Sequence, residues 1–411
     1  MEEGNVFAGI RKRLEKVSEF MNLSVNEVNY ILKHEKNTHA VLEVNGKSYD
    51  AWRIMHSNAL GPGKGGIRFH EGVSEDEVKS LSFWMSLKTA LMGIPLGGGK
   101  GGVKVNPKEL NDSELQELSR AYARAFVDVI GVNKDVPAPD VYTNSQIMAW
   151  MLDEYEKIKG VKEPGMITGK PIELGGLKLR ADSTSKGGFI VLKEFLEKIG
   201  KDKSEIKIAI QGFGNAGLNM AKMLDSDGFK IVAASDSRGG IFVEERLDIN
   251  SLVKLKEDRK SVVDSEGAKV SNSELLELDV DVLVLAALEN QITEENVENV
   301  KAKYILELAN GPVSSEGDEV LFSKEVVVLP DILANAGGVL VSYFEWANNN
   351  SGGVLEEDFL KKKLDEMMVK SFNEVYDLWQ ENKDKLSMRE AAYVIALKRI
   401  FDAEKLRGNL D

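Results

Sequence analysis

The stretch Ile206-Lys-Ile-Ala-Ile-Gln-Gly-Phe-Gly-Asn-Ala-Gly217 decides what the second part of this chain folds into. Its first five residues form a short, mainly apolar run of the kind buried in a parallel sheet. Three glycines follow at the spacing Gly-x-Gly-x-x-Gly, which alone is weak evidence. Here, however, the glycines follow a predicted strand, open a predicted helix and precede a second strand over Lys230–Asp236, which is the context that a dinucleotide-binding unit requires.

The acid that ends this second strand, Asp236, lies 19 residues after Gly217. In dinucleotide-binding βαβ units, a carboxylate about 20 residues beyond the glycines binds the adenosine ribose. Further buried strands are predicted at Val282–Leu285, Tyr304–Glu307 and 326–329. The sequence therefore predicts a Rossmann-type sheet of mainly parallel strands that binds a dinucleotide.

Upstream of this region, glycines crowd around two lysines. Five glycines surround Lys100 in Pro95-Leu-Gly-Gly-Gly-Lys-Gly-Gly102, and Gly61-Pro-Gly-Lys-Gly-Gly-Ile-Arg68 repeats the pattern around Lys64. The stretch around Lys100 lacks the spacing of a phosphate-binding P-loop. Glycine is kept where the backbone needs positive φ or where another group approaches closely. We therefore interpret both stretches as loops that present an ammonium group to a ligand, with a flexible surface turn as the alternative.

A third lysine and an aspartate belong to the same interpretation. Lys88 lies on the apolar face of a predicted helix, where it either extends to solvent or faces a cavity in which an anion offsets its desolvation. Asp140 ends Val136-Pro-Ala-Pro-Asp140, whose prolines predict a stiff turn, although the acid could simply cap it. Three ammonium groups at one site would bind a molecule with more than one carboxylate and would lower one another's pKa. A lysine in that position can act as a general base beside Asp140.

Composition limits the other possibilities. A chain of 411 residues is expected to form two domains, and a net charge of -14 argues against nucleic acid as a general partner. There is no cysteine, and the four histidines show no metal-ligand spacing, so no metal site is predicted. No stretch approaches the roughly 20 apolar residues that span a bilayer, and Met1-Glu-Glu-Gly4 begins no signal peptide. A cytoplasmic protein without a membrane segment is expected.

Together these motifs resemble those of the glutamate dehydrogenases in the Glu/Leu/Phe/Val amino-acid dehydrogenase superfamily, in the family's order and over nearly the whole chain. They are Gly61-Pro-Gly-Lys-Gly-Gly-Ile-Arg-Phe69, Pro95-Leu-Gly-Gly-Gly-Lys-Gly-Gly102, Val136-Pro-Ala-Pro-Asp140, Gly212 to Gly217, Asn310-Gly-Pro312 and Asn335-Ala-Gly-Gly338. The resemblance implies an oxidoreductase that catalyses the reversible oxidative deamination of L-glutamate to 2-oxoglutarate and ammonium, with hydride transfer to NAD or NADP. It also implies closure of two domains over the substrate and a homohexamer assembled through the first domain.

The expected fold is α/β with two domains. Residues 1–183 would form an α/β domain for substrate binding and oligomerisation, and residues 184–336 the Rossmann-type dinucleotide-binding domain. Residues 337–411 would form C-terminal helices that pack back on the first domain, because nothing after Leu329 has the pattern of another strand of the nucleotide sheet.

The resemblance also implies roles for individual residues. Lys100 would activate water, and Asp140 would carry protons to and from the amino nitrogen. Lys88 would hold the α-carboxylate, while Lys64, with Ser342, would hold the side-chain carboxylate. The implied cofactor-binding residues are Thr184, Gly212, Gly214, Asn215, Ala216, Gly217, Asp236, Asn310 and Asn335. The two asparagines follow predicted strands at the edge of the sheet where ligands bind, although each could instead cap a helix or turn.

Several alternatives stay open. Relatives that act on leucine, phenylalanine or valine carry an apolar residue where this chain has Lys64, so a branched-chain or aromatic amino-acid dehydrogenase is the nearest alternative. A catalytically silent homologue and a nucleotide-binding sensor come from other functional classes. Asp236 favours NAD because a carboxylate repels a 2′-phosphate, yet Arg238 is near enough in sequence to bind one. Ser183-Thr-Ser-Lys-Gly187 departs from the family's usual Ala-Thr-(Gly or Ala)-x-Gly but keeps Thr184.

Overall fold

The computed structural model describes the backbone of residues Val6–Leu410, with side chains from Lys12 onward; Met1-Glu-Glu-Gly4, on which the localisation expectation rests, lies outside the described residues. Its strands are β1 (Lys36–Val44), β2 (Lys47–Ser57), β3 (Gly63–His70), β4 (Gly98–Lys104), β5 (Asp135–Pro139), β6 (Lys207–Gln211), β7 (Lys230–Asp236), β8 (Gly239–Phe242), β9 (Ala268–Val270), β10 (Val282–Leu285), β11 (Tyr304–Glu307) and β12 (Val327–Leu329). Its α-helices are α1 (Val6–Met21), α2 (Val25–Leu32), α3 (Glu75–Leu91), α4 (Asp112–Phe126), α5 (Ser145–Lys159), α6 (Ser183–Lys198), α7 (Asn215–Asp227), α8 (Ile249–Glu257), α9 (Asn272–Leu276), α10 (Ser315–Ser323), α11 (Asp331–Ala334), α12 (Gly337–Asn350), α13 (Glu357–Glu381) and α14 (Met388–Leu406). Within the described residues, no helix combines the length and the apolar character that crossing a bilayer would require.

The chain forms two compact units, each assembled from separate stretches of sequence. The first unit contains Met1–Arg180, Val339–Lys361 and Tyr393–Asp411, and the second contains Ala181–Gly338 and Lys362–Ala392. The prediction had assigned all of 337–411 to the first domain. In the structure, the middle of that segment belongs to the second unit instead.

The first unit is built on a five-stranded sheet with the order β1-β2-β4-β3-β5. Asn45-Gly46 joins β1 and β2 in a hairpin: the two strands pair antiparallel and both turn residues have positive φ, as a type I′ turn requires. Helix α4 covers one face of the sheet, where Phe69, Val103 and Tyr122 share one apolar core.

The glycine-rich stretches around Lys64 and Lys100 are β3 and β4, two of the three inner strands of this sheet, so their prediction as loops was wrong. The stiff turn predicted before Asp140 is the edge strand β5. Its two prolines are tolerated there because an edge strand has one row of backbone groups that needs no partner in the sheet.

The glycines of β4 make room for the protein's own atoms. None of them has a left-handed φ. A Cβ at Gly98 would collide with Ser86 of α3, and one at Gly99 would lie 2.5 Å from a carboxylate oxygen of Asp135. Helix α3 accordingly buries the small residues Ser82 and Ser86, together with the larger Phe83 and Leu87.

Asp135 belongs to a buried ion pair that crosses the sheet, which we call the strap. Arg53 on β2 and Asp135 on β5 reach over the glycines of β4 and β3 and meet: Arg53 Nε donates to Asp135 Oδ2 at 2.8 Å, and Nη2 donates to Oδ1. Arg53 Nη1 also donates to the carbonyl of Gly65 at 3.0 Å. The strap lies over Gly63 and Gly99 on one face of the sheet. Because side chains alternate along a strand, Lys64 and Lys100 point to the opposite face.

Breaking the strap is expected to destabilise the first unit. Arg53→Met leaves the Asp135 carboxylate buried without its cation, which should lower the free energy of unfolding by about 3–5 kcal/mol. Urea denaturation followed by tryptophan fluorescence measures this change. Arg124→Met is the control, because Arg124 pairs with Glu117 and Glu154 at a side-chain exposure of 42%, and its loss should cost about 1 kcal/mol or less. Equal losses in the two variants would contradict the prediction.

The second unit has a seven-stranded sheet with the order β12-β11-β10-β6-β7-β8-β9. Strands β12, β11, β10, β6 and β7 pair in parallel, which confirms the predicted Rossmann-type arrangement. Strands β8 and β9 add an antiparallel edge that was not predicted. Between β10 and β11 the chain forms a single 3₁₀ turn, Val297–Asn299.

Arg389 explains why part of the C-terminal segment belongs to the second unit. This buried side chain forms ion pairs with Glu307 at the end of β11, Asp318 on α10 and Asp331 on α11, at 2.7, 2.8 and 3.1 Å. Burial, opposed by Arg389, raises the pKa of Glu307 to about 7. Arg389 therefore joins the C-terminal segment to the carboxyl edge of the nucleotide sheet.

Candidate functional site

The first unit brings Lys100 and Asp140 into direct contact. Lys100 Nζ lies 2.9 Å from Asp140 Oδ2, and only 5% of Lys100 is exposed. Arg68, which follows Lys64 by four residues on β3, donates from Nε to the same carboxylate oxygen at 2.9 Å. The other side of its guanidinium pairs with Glu77 in the first turn of α3. Two cations therefore hold one oxygen of the predicted proton carrier.

Electrostatics in this pocket favour proton transfer at Lys100. Burial lowers the pKa of Lys100, Arg68 lowers it further, and Asp140 opposes both. Burial alone would raise the pKa of Asp140, but Lys100 and Arg68 outweigh it and hold that pKa well below its usual range. The resting pair is thus a carboxylate beside an ammonium group that loses its proton more easily than an ordinary lysine.

Lys64 is a buried cation without a described anionic partner. It is 1% exposed, and no carboxylate of the side chains described from Lys12 onward lies within ion-pair distance of it. Burial lowers its pKa, and the neighbouring guanidinium groups of Arg180 and Arg53 lower it further. Arg180 in turn donates from Nη1 to Ser342 Oγ at 3.0 Å. A carboxylate bound at Lys64 would supply the anion that this buried cation lacks among the described side chains.

Ser342 is held in place by the turn of α12 that follows it. Glu345, one turn further along, pairs with Lys170 at 2.7 Å, and both side chains are fully buried. Glu345 also accepts the backbone N–H of Gly169 at 2.9 Å. This pair fixes the loop that follows the 3₁₀ turn Pro164–Met166 to α12, close in sequence to Ser342. Lys88 lies half-buried on α3, and its contact with a substrate carboxylate stays a prediction.

The glycine loop of the second unit has the shape that a pyrophosphate needs. Gly212 has a φ of 92°, and a Cβ there would lie 2.7 Å from the backbone of Ala286. Gly217 packs directly against Gly212, whereas a Cβ at Gly214 would meet no heavy atom within 4 Å. Gly214 caps α7 without any side-chain hydrogen bond, so no capping side chain satisfies the first N–H groups of that helix. The loop fits a dinucleotide phosphate group.

Asp236 ends β7 as predicted, but its carboxylate is already occupied by the protein. Oδ1 accepts hydrogen bonds from Arg238 N and Ser261 Oγ, and Oδ2 accepts from Lys256 Nζ and Val262 N, at 2.8–3.1 Å. A carboxylate has about four lone-pair sites. A ribose hydroxyl would therefore have to share or replace one of these donors, and Lys256 offsets the negative charge.

The other predicted cofactor residues are the pair Asn310 and Asn335, at the end of the sheet, and Thr184, at the start of α6. Asn335 Nδ2 donates to Asn310 Oδ1 at 2.9 Å, so the structure brings these two side chains together at the carboxyl edge of the sheet. Thr184 lies in the first turn of α6, where its Oγ1 is 3.1 Å from the position of a Cβ at Gly338. The neighbouring Ser185 donates to the carbonyl of Ala216 at 2.8 Å, which joins α6 to the glycine loop.

Sequence reasoning missed two arginines at the lysine pocket. Arg68 lies within the glycine-rich motif around Lys64, four residues after that lysine. Because side chains alternate along a strand, this even spacing places both on one face, so Arg68 could have been predicted from the sequence. Arg180 precedes Ala181-Asp-Ser183 with no local pattern that marks it. Its position beside Ser342, 162 residues away, depends on tertiary structure alone.

Comparison with known proteins agrees with this geometry. Residues 34–157 match the family described as Glu/Leu/Phe/Val dehydrogenase, dimerisation domain, and residues 175–408 match Glutamate/Leucine/Phenylalanine/Valine dehydrogenase. The chain is 47% identical over 365 residues to a cryptic catabolic NAD-specific glutamate dehydrogenase of Bacillus subtilis (strain 168), covering 88% of this chain and 85% of the relative. It is 42% identical over 424 residues to an NADP-specific glutamate dehydrogenase of Synechocystis sp., covering 99% and 98%.

The fold has close counterparts among solved structures. The crystal structure of a hetero-hexameric glutamate dehydrogenase from Thermus thermophilus, in a Leu-bound form, superposes with a TM-score of 0.90 at 29% identity, covering 99% of this chain and 98% of that chain. Fold and similarity together define the class as nucleotide-dependent dehydrogenases. The chain itself belongs to the Glu/Leu/Phe/Val dehydrogenase family, as its motifs predicted.

Proposed function

We propose that this chain catalyses the reversible oxidative deamination of L-glutamate to 2-oxoglutarate and ammonium, with NAD or NADP as hydride acceptor. Within a family whose members act on acidic or apolar amino acids, one observation carries the choice of glutamate. Lys64 is a buried cation whose pKa is lowered by burial and by the charges of Arg180 and Arg53, and it lacks a carboxylate partner among the described side chains. A second substrate carboxylate supplies that partner, whereas an apolar side chain would leave the cation desolvated and unpaired.

In this proposal the substrate binds to the first unit. Lys64 and Ser342 hold the side-chain carboxylate, Arg180 supports them through its 3.0 Å bond to Ser342, and Lys88 holds the α-carboxylate. Lys100 loses its proton and takes one from water, which adds to the iminium carbon. Asp140 carries the proton that the nitrogen needs to leave as ammonia. These two roles are supported by the 2.9 Å contact of Lys100 with Asp140 and by the lowered pKa of Lys100.

The dinucleotide is assigned to the second unit, where it supplies the acceptor for the hydride from the substrate α-carbon. Support comes from the open space above Gly214 and from the uncapped start of α7, which suit a pyrophosphate. The backbone amides of Asn215 and Ala216 would donate to it. Thr184, Asn310 and Asn335 are proposed to hold the nicotinamide end, with the bond between the two asparagines fixing their orientation.

Asp236 is proposed to influence the choice between NAD and NADP. Asp236→Ser removes a carboxylate that repels a 2′-phosphate while leaving Lys256 in place, so the ratio of kcat/KM for NADP to that for NAD should rise about tenfold, or about 1.4 kcal/mol. Steady-state kinetics with each cofactor at saturating glutamate measure this ratio. An unchanged ratio would show that the four hydrogen bonds of Asp236 serve only its own loop.

A direct assay tests the proposed function. The purified chain should reduce NAD or NADP with glutamate, seen as a rise in nicotinamide absorbance, and should oxidise the reduced cofactor with 2-oxoglutarate and ammonium. Leucine, valine and phenylalanine are the comparison substrates. Faster turnover with any of these would favour the branched-chain or aromatic alternative, and binding of NAD without turnover of any amino acid would favour a nucleotide sensor.

We further propose a homohexamer in the cytoplasm, where glutamate and NAD(P) are both available. Support for assembly comes from the dimerisation-domain description matched by residues 34–157 and from the hexameric Thermus thermophilus structure. Size-exclusion chromatography with light scattering should give a mass about six times the 45.4 kDa of the chain. A mass corresponding to one or two chains would contradict the hexamer.

A further inference from the structure

The two carboxylate oxygens of Asp140 are unequally engaged. Oδ2 accepts from both Lys100 Nζ and Arg68 Nε at 2.9 Å, whereas no described side chain or backbone group donates to Oδ1. The Asp140 side chain keeps 16% of its surface exposed, so part of it is accessible to a ligand. The position of Asp140 itself depends on Gly66, because a Cβ there would lie 2.7 Å from Asp140 Cβ.

The backbone of Asp140 is fixed as firmly as its Oδ2 atom. Thr143 Oγ1 accepts the Asp140 N–H at 2.8 Å and donates to the carbonyl of Ile67 at 2.8 Å. Ile67 directly precedes Arg68 on β3. The same strand therefore holds Asp140 at two points, once through Thr143 and once through the guanidinium of Arg68.

Arg68 is itself anchored from a second element. Its Nη1 atom pairs with Glu77 in the first turn of α3, while Nε points to Asp140, so the planar guanidinium bridges two carboxylates in one orientation. Only 14% of the Arg68 side chain is exposed. A lysine in its place could supply the charge but not both directed bonds.

We propose that Arg68 is a positioning residue that holds Oδ2 of Asp140 and so directs Oδ1 to the substrate nitrogen. The inference rests on the proposed deamination and adds the oxygen atom through which the proton moves. The proton that the substrate nitrogen loses before hydride transfer goes to Oδ1. The same oxygen returns that proton to the nitrogen as the carbon–nitrogen bond breaks, so Asp140 ends each turnover ionised.

The charged groups around Asp140 set the pH dependence. They are Lys100 from β4, Arg68 from β3 and, behind Arg68, Glu77 from α3. Lys100 and Arg68 lower the pKa of Asp140, and Arg68 also lowers the pKa of Lys100. Removing the guanidinium raises both pKa values. Since the oxidative reaction needs the carboxylate and the neutral amine, its acid limb should move to higher pH.

Arg68→Gln tests the inference. We expect kcat for glutamate to fall about 10–100-fold, a part of the 10²–10⁴-fold that positioned acid–base groups contribute, with KM for glutamate changed less than about threefold. The acid limb of the kcat–pH profile should shift to higher pH. Arg68→Lys should restore most of the pH profile, through its charge, but only part of kcat. A rise in KM with an unmoved pH profile would show that Arg68 has only a structural role.

Arg120→Gln is the matched control. Arg120 also bridges two carboxylates, Asp153 and Glu154, at a similar 18% exposure, but on α4, away from the lysine pocket. It should leave kcat and the pH profile unchanged. Glutamate turnover by the wild-type chain tests the proposed function separately; if the wild type is active and both Arg68 variants keep its kcat and pH profile, only the inference fails. If Arg68→Gln does not fold, Arg68→Lys still decides the outcome.

Discussion

Lys100→Ala is expected to lower kcat for glutamate deamination by roughly 10³-fold, because the amine that takes the proton from water is lost. Water could occupy the vacated space, but it is not a base of comparable strength at neutral pH. Binding should suffer less, since Lys64 and Lys88 are proposed to hold the two carboxylates. The measurement is steady-state kcat and KM for glutamate, with melting temperature as a check on folding.

The same strand offers a matched control for this variant. Lys104 ends β4 four residues after Lys100, but its side chain is exposed to solvent. Lys104→Ala should keep the wild-type kcat within about twofold, as expected for a surface substitution away from the site. A loss of less than tenfold in Lys100→Ala would mean that this amine is not the base, and the assignment of the water-activating role would have to be abandoned.

Lys64→Leu is expected to lower kcat/KM for glutamate by roughly 10²–10³-fold, or about 3–4 kcal/mol, because the side-chain carboxylate loses its buried cation. Turnover of leucine or valine should become measurable, since the new side chain gives an apolar substrate a matching surface. The melting temperature should not fall, because the substitution removes a buried charge that has no described carboxylate partner.

The ratio of activities with glutamate and leucine provides the internal control for this variant. A general defect in folding or in cofactor binding would lower both activities together and leave the ratio unchanged. Lys64→Arg should retain a preference for glutamate because it keeps the charge. An unchanged ratio in Lys64→Leu would show that this position does not select the substrate side chain, and it would reopen the apolar alternatives.

Local signals allowed much of the fold to be predicted. The turn at Asn45-Gly46 and the loop from Gly212 to Gly217 were predictable because glycine and asparagine there adopt conformations that other residues avoid. The glycines around Lys100 misled the prediction for a related reason. A cluster of glycines indicates that there is no room for Cβ atoms at those positions. The glycine pattern alone does not show whether a loop, a ligand or a neighbouring strand fills the volume that the side chains would occupy.

The features that sequence could not predict depend on partners far apart along the chain. Arg53 and Asp135 are separated by 82 residues, and so are Glu307 and Arg389. Nothing near either arginine marks it as buried and paired, because arginine is usually a surface residue. Residue types were enough to predict that Lys100 acts beside Asp140, whereas the position of Arg68 between Asp140 and Glu77 depends on tertiary structure.

The division of both units into separate stretches of sequence has a consequence for biosynthesis. A ribosome that has released residues up to 338 has delivered most of both units, yet the first still lacks Val339–Lys361 and Tyr393–Asp411. The second unit lacks the segment that contains Arg389. Until that segment is synthesised, Glu307, Asp318 and Asp331 have no Arg389 to pair with. Neither unit can mature during translation until residues beyond 389 emerge, and a nascent chain stalled earlier is expected to be a substrate for chaperones and proteases.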